Sequence, residues 1–151
     1  MTIKVSIQSE NFDIASEIER LTRGRADIGA TVSFTGHCRD EGGRLAALEL
    51  EHYPGMAEAE IARICEQAVS RFELLGLTVI HRFGRMAPGD LIVVVLAAAS
   101  HRQAAFDGAA FVMDFLKTDA PFWKKEHLKS GDSGDWVTAR DADEDARLRW
   151  L

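Results

Sequence analysis

Apolar residues follow two different spacings along the chain, and each spacing predicts a different kind of element. Every second position is apolar in segments 3–7, 30–34 and 48–50, which predicts strands with one buried face, the third of them running to about Tyr53. The segment 78–83 predicts a further strand. A nearly unbroken apolar run at 91–98 follows a Pro-Gly-Asp turn and predicts a strand in the centre of a sheet, because both of its faces would need covering.

Two helices are predicted in the first half of the chain. The apolar residues of segment 14–21 lie at helical spacing, and Asn11 is the predicted N-cap. A longer apolar face begins at Met56, directly after a Pro-Gly break. Gly76 stands where a glycine commonly ends such a helix, so the second helix is predicted to stop there.

A third helix is predicted from Ser100, because Ser100 and Gln103 have the spacing of a capping box. Its predicted buried stripe consists of Phe106, Ala110 and Met113. The Asp-Ala-Pro sequence at 119–121 is predicted to end this helix, since a proline disfavours helical geometry in the residue before it. The segment 122–127 is predicted to be extended.

Strands and helices alternate with short connections, and no internal repeat or interdomain linker is visible. This order favours an α+β fold, a single compact domain with a mostly antiparallel sheet and packed helices. We assign residues 1–140 to that domain and residues 141–151 to a charged C-terminal tail.

Composition narrows the range of functions. The chain of 151 residues has a formal net charge of −6, which argues against a general nucleic-acid binder but leaves room for a local anion pocket. Its 2 cysteines form no CxxC pair, and the histidines lack metal-ligand spacing. No secretion signal or membrane-length apolar run is visible. We therefore predict a cytoplasmic protein that needs neither a metal nor a cofactor.

The segment Ser100-His101-Arg102 suits an anion, because a predicted helix start offers free N–H groups and Arg102 adds a charge. The alternative is an ordinary capped helix with an exposed histidine and arginine. On the motif alone, that alternative is favoured.

A second candidate site combines Lys117 with the extended segment that follows it. Lys117 almost continues a buried helix stripe, which can desolvate the ammonium group and lower its pKa. In an extended segment, Lys124 and Glu126 share one side and Lys125 lies on the other. The alternatives are a lysine that reaches solvent and a solvated charged edge strand, and both are common.

Cys38 lies between His37 and Arg39, two side chains that can lower the pKa of a thiol. A lone cysteine without a defined catalytic partner is weak support for a nucleophile. We therefore predict no catalytic role for Cys38.

Taken together, several segments resemble the catalytic (large) subunit family of molybdopterin synthase, in order over nearly the whole chain. The matching segments are Phe34-Thr35-Gly36-His37-Cys38-Arg39, Leu50-Glu51-His52-Tyr53-Pro54-Gly55-Met56, His81-Arg82-Phe83-Gly84, Ser100-His101-Arg102-Gln103-Ala104-Ala105-Phe106, Leu116-Lys117-Thr118-Asp119-Ala120-Pro121-Phe122-Trp123-Lys124-Lys125-Glu126 and Trp136-Val137. The sequence departs from the family pattern at His37-Cys38, in a short Glu41-Gly42-Gly43 loop and at Lys125.

The resemblance implies a catalytic pair, Lys117 and Lys124. It also implies a set of residues lining a pterin pocket: His37, Arg39, His101, Arg102, Lys125 and Glu126. The implied fold is an α+β hammerhead domain that forms a homodimer within a heterotetramer. Each catalytic subunit takes up the Gly-Gly tail of a small ubiquitin-like partner. The thiocarboxylate on that tail supplies two sulfurs to cyclic pyranopterin monophosphate, and this sulfurtransferase reaction forms the dithiolene of molybdopterin.

The chemistry of the residues agrees with this expectation, since the substrate is an anion and its conversion needs proton transfer. Two other functions stay open on the sequence. A non-catalytic adaptor would bind the partner's tail without turnover, and a small phosphate-ester hydrolase would act without any protein partner.

Overall fold

The computed structural model describes residues 2–137 and 148–150. Within these residues, seven strands and three α-helices are formed. The strands are β1 (Thr2–Gln8), β2 (Ala30–His37), β3 (Leu45–His52), β4 (Gly76–Arg82), β5 (Gly84–Met86), β6 (Leu91–Ala99) and β7 (Phe122–Leu128). The helices are α1 (Ile14–Thr22), α2 (Met56–Phe72) and α3 (Arg102–Thr118). A one-turn 3₁₀ helix, Glu41–Gly43, occupies the loop between β2 and β3.

The strands form two sheets, and only the β1–β4 pair of the described strands is parallel. The larger sheet has the order β1-β4-β6-β2, and the smaller has the order β5-β3-β7. This arrangement confirms the predicted α+β class with a mostly antiparallel sheet.

The larger sheet is covered on both faces. Val93, Val95 and Ala97 of β6 pack with α2 and α3 in the main core. Val94 and Leu96 face the opposite way and pack against α1. This two-sided burial explains the unbroken apolar run of β6 and confirms its predicted position inside the sheet.

Two predicted helix ends are wrong by a few residues. Asp13, and not Asn11, caps α1, because its carboxylate accepts hydrogen bonds from the N–H groups of Ala15 and Ser16. Helix α2 ends with Glu73 in the left-handed conformation at φ 54°, and Gly76 is instead the first residue of β4.

The start and the buried face of α3 also differ from the prediction. His101 occupies the N-cap position without a side-chain cap bond, so Ser100 forms no capping box. Phe106 is 56% exposed and Ala110 is exposed, whereas Met113 is buried as predicted. The buried face instead includes Gly108, where an added Cβ would lie 2.8 Å from the Leu74 side chain. Small residues therefore set the rotation of this helix by allowing close packing.

The predicted tail, 141–151, lies mostly outside the described residues. Of its residues 148–150, Trp150 packs edge-on against Phe72 of α2 and Phe111 of α3. The boundary at residue 140 stays a prediction.

No helix within the described part of the chain is long and apolar enough to cross a membrane.

Candidate functional site

A cavity of about 390 Å³ lies where the two sheets meet the C-terminal end of α3. Its walls come from the ends of β2 and β4, the start of β6, and the strands β3 and β7. Since these elements are far apart in the sequence, only the folded chain brings the lining side chains together.

The cavity lining is strongly basic. Its basic side chains among the described residues are His37, Arg39, Arg44, Lys117 and Lys124, and its carboxylate is that of Glu126. This local excess of positive charge contrasts with the net charge of −6 for the whole chain. A concave, basic surface of this kind suits an anionic small molecule.

Strand β7 presents Lys124 and Glu126 to the cavity. They pair with Leu50 and Leu48 of β3, which also line it. The predicted shared side of Lys124 and Glu126 is therefore confirmed by the geometry.

Lys125 lies outside the cavity lining, and its ammonium nitrogen lies 5.6 Å from the centre of the Trp136 ring. The strand alternation that brings its neighbours into the cavity turns Lys125 away. Lys125 therefore does not contribute to this cavity within one chain, and its place in the pterin pocket stays a prediction.

Helix α3 contributes Lys117 to the cavity from its last turn. Met113, about one turn earlier, and the adjacent Leu116 also line the cavity. The Lys117 side chain is exposed. This exposure agrees with the alternative of a lysine that reaches solvent, which the sequence alone favoured over desolvation by the apolar helix face.

The end of β2 places His37 and Arg39 in the lining while Cys38 turns inward. The backbone of Cys38 is held by hydrogen bonds with Gly89 and Asp90. Burial raises the pKa of the Cys38 thiol, and nearby carboxylates, including that of Asp90, raise it further. The neighbouring His37 and Arg39 therefore do not activate this thiol, which supports the prediction that Cys38 is not a nucleophile.

His101 and Arg102 are exposed and do not contribute to the cavity. Arg102 begins α3 and Lys117 lies in its last turn, so at 1.5 Å per residue the two backbones are about 22 Å apart. The expectation that both residues line the same pocket as Lys117 is therefore not met within one chain.

Sequence reasoning missed two side chains of the lining, Arg44 and His81. Burial, together with the charges of Lys117 and His52, lowers the pKa of His81 to about 4. The His81 ring stacks on that of Phe122, with 3.9 Å between ring centroids. The sequence does show a histidine near the end of an apolar strand. Its position in the cavity wall, however, depends on elements that are distant in the sequence.

No group of three or more His, Cys, Asp or Glu residues is placed to hold a metal ion in the part of the chain that the structure describes.

Comparison with known proteins gives consistent matches over nearly the whole chain. The family model described as MoaE protein matches residues 7–119. The molybdopterin synthase catalytic subunit of Rhizobium meliloti (strain 1021) is 66% identical over 148 residues, which cover 98% of this chain and 96% of the relative.

Two solved structures have a similar fold. The molybdopterin biosynthesis MoaE protein from Burkholderia ambifaria MC40-6 has a TM-score of 0.85 and 44% identity, covering 98% of this chain and 97% of that one. A protein–protein complex of subunits 1 and 2 of molybdopterin-converting factor from Helicobacter pylori 26695 contains a chain with a TM-score of 0.67 and 17% identity, with coverage of 92% and 90%.

Proposed function

This chain belongs to the MoaE protein family, the catalytic subunits of molybdopterin synthase, and from that premise we propose that it is a cytoplasmic sulfurtransferase. Its sulfur donor is the thiocarboxylated C-terminal tail of a small ubiquitin-like partner. Its acceptor is cyclic pyranopterin monophosphate, which receives two sulfurs and becomes the dithiolene of molybdopterin.

The observation that carries this proposal is the meeting of Lys117 and Lys124 in one basic cavity, although they come from α3 and β7. Opening of the cyclic phosphate and loss of water require protons to be moved at the substrate. Two amines in a shared cavity are suitable acids and bases for these steps. Arg39 adds a guanidinium, which can bind phosphate oxygens in a two-pronged geometry.

The partner supplies the sulfur, so the chain itself needs no reactive thiol. The buried Cys38, with its raised pKa, agrees with this division of labour. The fold shared with the Helicobacter pylori protein, whose solved structure is a two-subunit complex, fits such a partner.

We place His101 and Arg102 in the pocket of a second copy of the chain. The length of α3 keeps them about 22 Å from Lys117 in their own chain. In a twofold homodimer, a residue of one copy that reaches its partner's site is matched by the same residue reaching back. Each pocket would then combine Lys117 and Lys124 of one copy with the helix start of the other.

The experiment that tests the proposed function is reconstitution with the thiocarboxylated partner and cyclic pyranopterin monophosphate, with dithiolene formation as the readout. We expect turnover only when all three components are present. Phosphate-ester hydrolysis without the partner would contradict the proposal in favour of a hydrolase. Partner binding without any dithiolene would contradict it in favour of an adaptor.

A further inference from the structure

The wall of the cavity contains a buried histidine that the proposed chemistry does not use. His81 is 8% exposed, and it and Thr78 are the buried polar or charged residues of the described chain. It lies near the end of β4, where it pairs with Val93 of β6 and Ile7 of β1. Burying an imidazole in an apolar sheet is costly unless its polar atoms have partners, so each ring nitrogen needs an explanation.

The hydrogen bond made by one ring nitrogen of His81 decides which of the two nitrogens carries the hydrogen in the neutral ring. Nδ1 of His81 lies 2.8 Å from the carbonyl oxygen of Arg82. A carbonyl oxygen only accepts, so Nδ1 carries the hydrogen and donates. Burial, helped by the charges of Lys117 and His52, lowers the pKa of His81 to about 4. At neutral pH the ring is therefore uncharged, and Nε2 keeps a free lone pair.

The ring cannot easily turn this lone pair away from the cavity. It stacks on Phe122 with an angle of 14° between the ring planes, and Nδ1 holds it to the backbone. Nε2 forms no hydrogen bond with a described residue. Every fully buried side-chain nitrogen or oxygen of the described residues has a hydrogen-bond partner, so Nε2 is not fully buried. Nε2 is therefore open to the cavity that His81 lines.

The cavity offers many hydrogen-bond donors and few acceptors. Its basic side chains include Arg39, Arg44, Lys117 and Lys124, and each donates when it is charged. The ionisable side chains of the lining that can accept a hydrogen bond are fewer: the carboxylate of Glu126, the neutral ring of His81, and the ring of His37, whose Nε2 lies 3.5 Å from the Thr35 hydroxyl. A phosphate finds partners here readily, whereas a ring N–H finds few.

We propose that Nε2 of His81 accepts a hydrogen bond from a ring N–H of the bound pterin and so selects the orientation of the heterocycle. This inference rests on the proposed function, because it takes the pterin as the ligand of the cavity. An analogue with an acceptor or a methyl group at that nitrogen would be disfavoured, since it would leave the buried lone pair without a donor.

Two substitutions separate the acceptor from the packing role of His81. In His81→Asn, the side-chain amide can still donate to the Arg82 carbonyl, but it is too short to replace Nε2. In His81→Gln, the side-chain carbonyl reaches the region of Nε2. For the complex with the partner, we expect the affinity for cyclic pyranopterin monophosphate to fall about tenfold in His81→Asn and less than about threefold in His81→Gln. Wild-type affinity in His81→Asn would overturn the proposal.

Pterins methylated singly at each ring nitrogen provide a test that begins with the unaltered protein. One methylated pterin should bind the wild-type complex about tenfold more weakly than the parent, and this penalty should nearly vanish in His81→Asn. Equal penalties in both proteins at every ring nitrogen would overturn the role of His81. That result would still leave the wild-type complex binding the pterin. If the proposed function were wrong, the wild-type complex would not bind the pterin at all.

Discussion

Arg102 and Lys117 lie at opposite ends of α3, about 22 Å apart along the helix axis. Both side chains are exposed, and only Lys117 lines the basic cavity. Since Arg102 lies outside the cavity of its own chain, we infer that a shared role with Lys117 requires two copies.

The first prediction uses this separation. Arg102→Ala and Lys117→Ala should each lose most dithiolene formation as homodimers. Mixed by refolding or coexpression, they should recover about a quarter of the wild-type activity, because half of the dimers are mixed and each of those has one intact pocket. A mixture as inactive as its parents would place both residues in separate functions or in the same copy's site.

The second prediction compares adjacent lysines of β7. Lys124→Ala should lower turnover at saturating pterin by about a hundredfold or more, because it removes a proton-transfer group from the cavity. Lys125→Ala should stay within about threefold, because its ammonium lies over the Trp136 ring outside the cavity, where such a contact contributes only about 0.5–1 kcal/mol. The measurement is single-turnover kinetics on both variants. A larger loss in Lys125→Ala than in Lys124→Ala would reverse the assignment.

The alternation of β7 was predictable because it depends only on the local period of a strand. The buried face of α3 was not, since the close approach of Gly108 to Leu74 depends on where α2 ends. His81 was missed for the same reason, because its burial requires the neighbouring β1 and β6 and the ring of Phe122. The resemblance named both Arg102 and Lys117 as site residues but could not show that α3 separates them.

The third prediction concerns Cys38, which is 2% exposed and has a raised thiol pKa. Cys38→Ser should keep most sulfur transfer, since the proposed sulfur comes from the partner. Iodoacetamide should modify the folded protein slowly at pH 7.5 and rapidly after unfolding. A well-folded Cys38→Ser protein that no longer transfers sulfur would contradict the prediction.

The fourth prediction separates binding from chemistry at Arg39. Arg39→Lys keeps the charge but removes the two-pronged contact with phosphate, so pterin affinity should fall about tenfold to a hundredfold. Partner affinity should change little. Arg63→Lys is the matched control, because Arg63 lies on α2 in a surface ion pair with Glu60. Normal pterin affinity combined with slow turnover at saturation would instead give Arg39 a role in the transition state.

The fifth prediction follows from the lowered pKa of His81. The folded protein keeps this imidazole neutral down to a pKa of about 4, whereas an unfolded histidine takes up a proton near its ordinary pKa of 6.5. Between these values the unfolded state binds more protons, so the free energy of unfolding must fall as the pH falls. The loss approaches about 1.4 kcal/mol per pH unit below pH 6.5 and amounts to about 2 kcal/mol in all between pH 7.5 and pH 5.

Urea unfolding at pH 7.5, 6.5, 5.5 and 5.0 measures this loss in the wild type and in His81→Gln. The variant lacks the titrating ring but keeps every other ionisable group, so its curve of stability against pH should be flatter by about 2 kcal/mol over that interval. Stopping at pH 5 keeps Glu17 out of the comparison, because the pKa of its carboxyl is lowered from its ordinary value of 4.5 and its contribution to stability is lost at lower pH. Parallel curves for the two proteins would mean that folding does not lower the pKa of His81, and the ring would then lose the free lone pair at Nε2 near pH 6.5 instead of near pH 4.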